Sequence, residues 1–320
     1  MAQPRTARGS FLGVAPDDTT YGTAAGTLTH FYRLFTAGIT NVCNDVPVGT
    51  LADSNNASEV VSVHVRNEQS ITGTVEMPLM AEGMGLLIHH AMWATATTGA
   101  GPYTHTSTVA SGRPSLGLTL EQCTGAKSQI FPGGRISKMV LKGEVGGGVL
   151  RAAFDFIAQA PTAAPGSPST PTYTTNETAS TVEWWRGATA SIGGNAYKIQ
   201  SFEITLDRKL EPIRSVGSLV TDDPATSTRP EVMGKFRLAQ YDDQLYADYK
   251  AGTEANLTLT FTKGAKSIAF TIDNAHISKY SETRGTGPTI IDLEVVGQSD
   301  SSDTGLKIVI VNTQSTYSAA

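Results

Sequence analysis

The chain has 320 residues, enough to bury a core as one large β domain or two ordinary ones. Its 39% hydrophobic and 17% charged residues, with 32 Gly and 15 Pro, point to a turn-rich, β-rich fold. The formal net charge is −5 and neither half is basic: 10 basic residues face 11 acidic ones up to Ala160, and 14 face 18 beyond it. That balance argues against a protein that grips nucleic acid by its phosphates, and leaves open a surface past which DNA slides.

Residues 1–26 are Gly-rich and weakly periodic, and read as an extended N-terminal arm that needs a partner to be ordered. Thr27–Phe35 and Val60–Arg66 carry the β-branched and aromatic residues of strands. The polar, turn-rich stretch 36–58 between them predicts a long loop or irregular hairpin. One order of elements then occurs twice. The alternating segment Ile71–Leu79 leads into a helix candidate at Ala81–Trp93, followed by strands at Ser115–Gln122, Ile136–Glu144 and Val149–Gln159. The segment Gly234–Ala239 leads into a helix candidate at Asp242–Lys250, followed by strands at Ala255–Thr262, Ser267–Ile277 and Thr289–Val296. Residues 161–190, rich in Pro, Ser and Thr at their start, separate the copies as a linker or surface loop, so that 27–160 and 191–320 form the two halves of one repeated design.

The clearest strand is Tyr197–Leu210. Ile199 cannot share a face with Phe202, Ile204 and Leu206 unless the register slips, so a bulge is predicted near Ser201. Beyond it Phe202, Ile204 and Leu206 point one way, and Glu203, Thr205 and Asp207 the other. Thr289–Val295 repeats the pattern, with Ile291, Leu293 and Val295 inward and Asp292 and Glu294 outward. Paired carboxylates on a wet strand face lack the cleft and the contrasting environments of an acid/base pair.

Other residue types give no chemistry. Cys43 and Cys123 are 80 residues apart with no ligand spacing, which fits buried free thiols in a reducing cytoplasm. His89 and His90 are adjacent on a helix, so their side chains diverge by about 100° instead of meeting at a metal. His30, His64, His105 and His276 are isolated, and Gly146–Gly148 and Gly193–Gly194 lack the Lys-Ser/Thr of a phosphate loop and read as hairpin turns. No apolar run of signal-peptide or membrane-span length occurs, and no catalytic residue, metal or cofactor is expected. Trp184–Trp185 is the one feature suited to stacking on a sugar or base; packing or a subunit interface is its other reading.

Taken together, the Gly-rich arm at Gly9–Gly26, the Met77-Pro78-Leu79 step into a helix, His105 before the strand Ser115–Gln122, Gly133–Ser137, Ile192–Gly194, Ile199–Leu206, Tyr241–Gly252 and Leu306–Asn312 resemble the tail tube protein of long, non-contractile-tailed bacteriophages. Arg208-Lys209 stands where that family commonly has an Asn. The resemblance implies a mainly β, β-sandwich or barrel-like subunit with one or two short helices, internally pseudo-duplicated. It implies hexameric rings whose inner sheets join into a closed β-barrel, stacked into a tube through which DNA is ejected into the host. Its implied partners are further copies of the chain, tape measure, tail terminator and distal tail proteins, and double-stranded DNA passing without specific binding. It implies assembly in the bacterial cytoplasm and residence in the virion tail, with no membrane. Alternation makes Glu203, Asp207, Asp292 and Glu294 the acidic candidates for the lumen wall, the outer tube surface being their other placement. Stretches 36–58 and 218–232 are the candidates for contacts between rings. The alternative function is a carbohydrate-binding or adhesion β-sandwich, carried by Trp184–Trp185.

Overall fold

The computed structural model describes residues 10–47, 64–123, 125, 127–161, 165–172, 181–183, 188–216, 218, 221–239, 243–283, 289–299, 304–315 and 317. In chain order the first elements are β1 (Phe11–Pro16), β2 (His30–Arg33), β3 (Thr36–Pro47), β4 (His64–Pro78), helix α1 (Gly85–Met92), β5 (Trp93–Thr98), β6 (Tyr103–Val109), β7 (Leu118–Cys123), β8 (Ser128–Glu144) and β9 (Arg151–Ala158). They are followed by β10 (Thr189–Ile192), β11 (Asn195–Ala196), β12 (Ile199–Asp207), β13 (Leu210–Glu211), β14 (Ala225–Thr226), β15 (Glu231–Leu238), helix α2 (Asp243–Ala251), β16 (Glu254–Lys263), β17 (Lys266–Thr283), β18 (Ile290–Gly297) and β19 (Leu306–Asn312). The fold is therefore mainly β with two short helices among the described residues.

Its backbone is an antiparallel wall in the order β3-β4-β9-β8-β12-β15-β18-β17. Among the described residues the wall is an open sheet, with β3 at one side and the C-terminal part of β17 at the other, and no barrel closes within one chain. A second layer runs β10-β16-β17-β19-β6-β5, using the N-terminal part of β17. The N-terminal part of β8 likewise leaves the wall to pair with β7, which continues to β1 and β2. Both long strands thus serve two sheets, and each shifts register as it enters the wall, between Ile136 and Lys138 in β8 and between Ile277 and Lys279 in β17. An extra residue at such a point bends the strand and raises its twist, which lets one strand turn from one layer into another.

Period-two alternation dictates what the wall buries. Phe202, Ile204, Leu206, Phe236, Leu293 and Phe154 all lie on its apolar face and are buried. Against them pack the second layer, with Phe202 5.7 Å from Phe261 and 6.3 Å from Phe270 between ring centroids, and α1, which buries Leu86, Leu87, Ile88, Ala91 and Met92. Helix α2 buries only Leu245 and sets Tyr246 and Tyr249 against Tyr280 of β17.

The predicted slip near Ser201 is present as a register shift between Ile199 and Ser201. The helices fall at Gly85–Met92 and Asp243–Ala251, inside or within a residue of their predicted spans. Four strands differ from or sharpen the expectation. Residues 36–47, within the stretch predicted as a long loop or irregular hairpin, form β3, whose Gly, Asn and Thr residues carry no apolar stripe because it pairs along β4 at the margin of the wall. β5 and β6 are Thr-rich strands with little apolar alternation, stabilised as neighbours in the second layer. Within the expected arm, residues 11–16 form β1, held between β2 and β7. Cys123 is a buried free thiol; Trp184–Trp185 and the side chain of Cys43 lie outside the described residues.

Candidate functional site

The wall's second face carries the chemistry. Its side chains fall into cross-strand rows, because residues in register on neighbouring strands project to the same side. One row reads Lys279, Glu294, Lys235, Glu203, Lys142, Arg151 from β17 to β9. Beside it lies Ser281, Asp292, Arg237, Ser201, Glu144. A third runs Glu231, Asp207, Lys138, Asp155, Thr74. All four acidic residues expected from alternation therefore lie on one face of one sheet, and that face includes a shallow hollow of about 700 Å³ lined by Lys142, Glu203, Lys235, Arg237, Lys279 and Glu294, among others.

The face is not acidic, however. Each carboxylate lies beside a cation, with Lys279 Nζ 2.9 Å from Glu294 Oε1, Arg237 Nε 4.0 Å from Asp292 Oδ1, and Lys209 Nζ bridging Asp207 at 2.9 Å and Glu231 at 3.1 Å. Toward β4, Glu76 accepts from Lys142 at 3.0 Å and Arg151 at 3.4 Å. Glu203 sits in register between Lys142 and Lys235. The Lys279 hydrogen bond holds the Glu294 carboxyl below the usual range. Partial burial pushes Glu76 and Asp207 up, but Lys142 with Arg151, and Lys209, outweigh it and leave both lowered. Glu294, Glu76 and Asp207 therefore stay charged at neutral pH, and the rows place acidic and basic side chains in alternation. The basic members were legible in the same way as the acidic ones, since Lys138 and Lys142 alternate along β8 and Lys235 and Arg237 along β15.

Arg208, at the unusual turn after β12, is buried at 1% exposure. Burial opposes its charge, drawing its pKa down to about 9. Its guanidinium donates from Nε to Ala91 O at 2.7 Å, from Nη1 to Ala110 O at 2.9 Å and from Nη2 to Met92 O, and lies 4.0 Å from the Trp93 ring centre. Two of those carbonyls are at the C-terminus of α1, where orphan acceptors and the negative end of the helix dipole favour a cation. Trp93 itself takes a left-handed φ of 73° to end the helix. The arginine thus ties the end of the central strand β12 to the helix between β4 and β5.

His105, His89 and His90 are packed within the fold. His105 is fully buried, its Nδ1 2.8 Å from Thr97 Oγ1 and its Nε2 donating toward Asn312 Oδ1 and Gln314 O at 3.1 and 2.8 Å, with Tyr317 stacked 3.8 Å away. His89 and His90 meet edge to face at a 90° interplanar angle. Among the described residues no group of three His, Cys, Asp or Glu is placed to hold a metal ion, and no helix is long and apolar enough to cross a membrane.

A broad antiparallel wall with one buried apolar face, one charged face and open edges among the described residues defines a mainly β protein. The family model of the phage tail tube protein matches residues 7–299, from the start of the described chain through β18, and the chain belongs to that family. No curated protein sequence matches it. The family is one of structural proteins of the virion tail, self-assembling and joined to other tail components.

Proposed function

We propose that the charged face of the wall lines the lumen of the tail tube, and that the tube conducts DNA passively from the capsid into the host. The observation that carries this reading is the sidedness of the wall. Its apolar face is covered by the second layer and α1, while nothing among the described residues covers the charged face. An antiparallel sheet with one wet face meets its surroundings with that face. A phosphate backbone moving along it finds Lys142, Lys209 and Lys279 already engaged by carboxylates and Lys235 in register between Glu203 and Glu294, which reduces the release of counterions that drives DNA binding. Glu203, Asp207, Asp292 and Glu294 are here lumen residues that offset their cationic neighbours, which adds the basic members to the acidic candidates named by alternation.

In this reading the four-strand groups β3-β4-β9-β8 and β12-β15-β18-β17 are duplicated tube units. Each has a hairpin, a helix, a long two-sheet strand with a register shift, and a return strand inserted between. Six such units close the ring, and closure removes exposed strand edges. Rings stack through the part of the β3–β4 hairpin that extends past Ile71, where β9 stops pairing with β4. The segment 218–232 is the second stacking contact, anchored at its middle by Asp223, which accepts from Arg135 Nε and Nη2 at 3.0 Å each. Tape measure, terminator and distal tail proteins cap or fill the tube, which is assembled in the host cytoplasm.

Negative-stain electron microscopy of the purified protein at rising concentration, beside its mass by light scattering, tests the reading. Hollow rings or tubes with a lumen wide enough for a duplex are expected. A strictly monomeric particle, both alone and with an initiating tail complex, would overturn it.

A further inference from the structure

We infer that the finger built on β13 and β14 of one chain plugs an apolar socket on a chain of the next ring; this rests on the tube reading above. The finger leaves the wall where β12 ends at Asp207 and rejoins it where β15 begins at Glu231. Its base pairs Leu210 with Thr226 and Glu211 with Ala225. Farther out, Asp222 N donates to Ile213 O at 2.8 Å, the Ser215 hydroxyl donates to the Asp222 carboxylate, and Ser218 N donates to Ser215 O at 3.1 Å. Asp223 is gripped from the body of the subunit by Arg135 and Arg113, each at 3.0 Å. The finger is thus braced, yet it holds apolar side chains in solvent, with Ile213 44% exposed and Val216 fully exposed. A single exposed aliphatic residue needs no explanation. Two on a braced projection do, when the opposite end of the same chain carries a hollow that suits them.

That hollow lies at the other end of β12, between the wall and the second layer and beside the turn that joins β8 to β9. It measures about 320 Å³ and is lined by Tyr197, Ile199, Phe202, Leu259 and Phe261. Specific pockets hold about 300–1,000 Å³ and have mainly apolar walls with a few polar groups. Here the polar groups are Glu144 and Lys198, both exposed. The finger carries the opposite pair, Arg214 and Glu211, on either side of Ile213. Leu210 at the base of the finger clusters with Trp93 at the end of α1, on the covered side of the wall, where the socket also lies.

The nine residues of β12 separate finger from socket by about 30 Å, so neither reaches the other within one chain. Wall strands that rise along the tube axis at a tilt turn these two ends toward neighbouring rings. A contact between two different patches of identical molecules is heterologous, and where no rotation closes it, it continues as an open filament. An apolar projection entering a preformed pocket elsewhere on the next copy is a contact of that kind. Every chain of a ring repeats it, and simultaneous engagement makes a firm joint from contacts that are weak singly. The joint also fixes polarity, because a reversed ring would set finger against finger and socket against socket.

The test replaces Val216 by an aliphatic photo-crosslinking residue and irradiates assembled tubes. Expected are crosslinks between chains that map to residues 197–202 or 257–261, present in tubes and absent from dissociated subunits. Val216→Asp and Ile213→Asp are expected to keep the thermal midpoint of the subunit, since both side chains stand in solvent, and to halt stacking at single rings or short stacks. Lys198→Glu and Glu211→Lys are each expected to shorten the tubes, and the double variant to restore them. Crosslinks that map elsewhere or do not form, full-length tubes from both aspartate variants, or a double variant no better than the singles overturn this inference and leave the tube. Absence of any tube from the wild-type chain, both alone and in isolated tails, overturns both.

Discussion

Arg208 shows how one residue joins elements that pattern alone keeps apart. Its three carbonyl acceptors come from Ala91, Met92 and Ala110, more than 90 residues away in sequence, and no alternation or spacing announces such a contact. The departure from the family's Asn at this turn was the only signal in the chain. Arg208→Met keeps the bulk of the side chain but leaves those buried acceptors without a donor. Removing one partner of a buried charged network costs about 3–5 kcal/mol, so the variant is expected to unfold at markedly lower urea with an unchanged slope. Arg208→Lys is expected to lie between, because an ammonium lacks the planar fork that reaches all three acceptors. An unchanged urea midpoint for Arg208→Met would show that solvent or relaxation satisfies the carbonyls. By contrast, the outward Glu203, Asp207, Asp292 and Glu294 were legible from period two alone, since burying Phe202, Ile204, Ile291 and Leu293 forces their neighbours to the opposite face. Which cations stand beside them was not, because cross-strand register is set by pairings between strands far apart in sequence.

At the scale of elements, α1 is apolar nearly all round because it is enclosed, and that enclosure carries a titration. Burial first, then the neighbouring His89 and Arg135, depress the His90 pKa to about 3, and its Nδ1 has no hydrogen-bond partner among the described residues. In the unfolded chain the imidazole takes up its proton near 6.5. Between these values the unfolded state binds more protons, so stability is full above about 6.5 and falls as pH drops toward 3. His90→Leu is expected to flatten that part of the stability curve, read from urea midpoints between pH 7 and 4; equal slopes would show that the carboxylates alone carry the acid response. The β3–β4 hairpin makes a second element-scale prediction. Its outer part, beyond the pairing of Ile71 with Ala158, takes no part in the wall. Replacing residues 44–66 by a two-residue Asn-Gly turn is expected to leave the thermal midpoint of the subunit within a few degrees while abolishing long tubes in electron micrographs. Tubes of normal length would remove the hairpin from the stacking contact. The sequence left the first strand of this hairpin open between a long loop and an irregular hairpin, because a strand on the margin of a sheet needs no apolar stripe.

At the scale of the whole molecule, the proposed lumen raises the question of what the wall does to DNA, and net charge is a poor guide to it. A chain at −5 could present a strongly acidic lumen, yet the rows alternate Lys279, Glu294, Lys235, Glu203 and Lys142. Two effects then compete along the path of the duplex. Repulsion from carboxylates is screened within a Debye length of about 8 Å, while a lysine freed from its partner holds a phosphate by counterion release at short range. In the proposed lumen the second effect matters only when cations are free to reach inward. Replacing Glu203, Asp207, Asp292 and Glu294 together by Lys makes the central row wholly cationic without touching the apolar face. Tube assembly is expected to survive, since both open edges and the buried layer are unchanged, while genome ejection slows or stops and infectivity falls by orders of magnitude. The Gln and Asn counterparts are expected to be intermediate, and raising salt during ejection in vitro is expected to restore the Lys variant steeply, as release of several counterions requires. Normal ejection by the Lys variant at low salt would place this face on the outside of the tube and leave the lumen to the other side of the molecule.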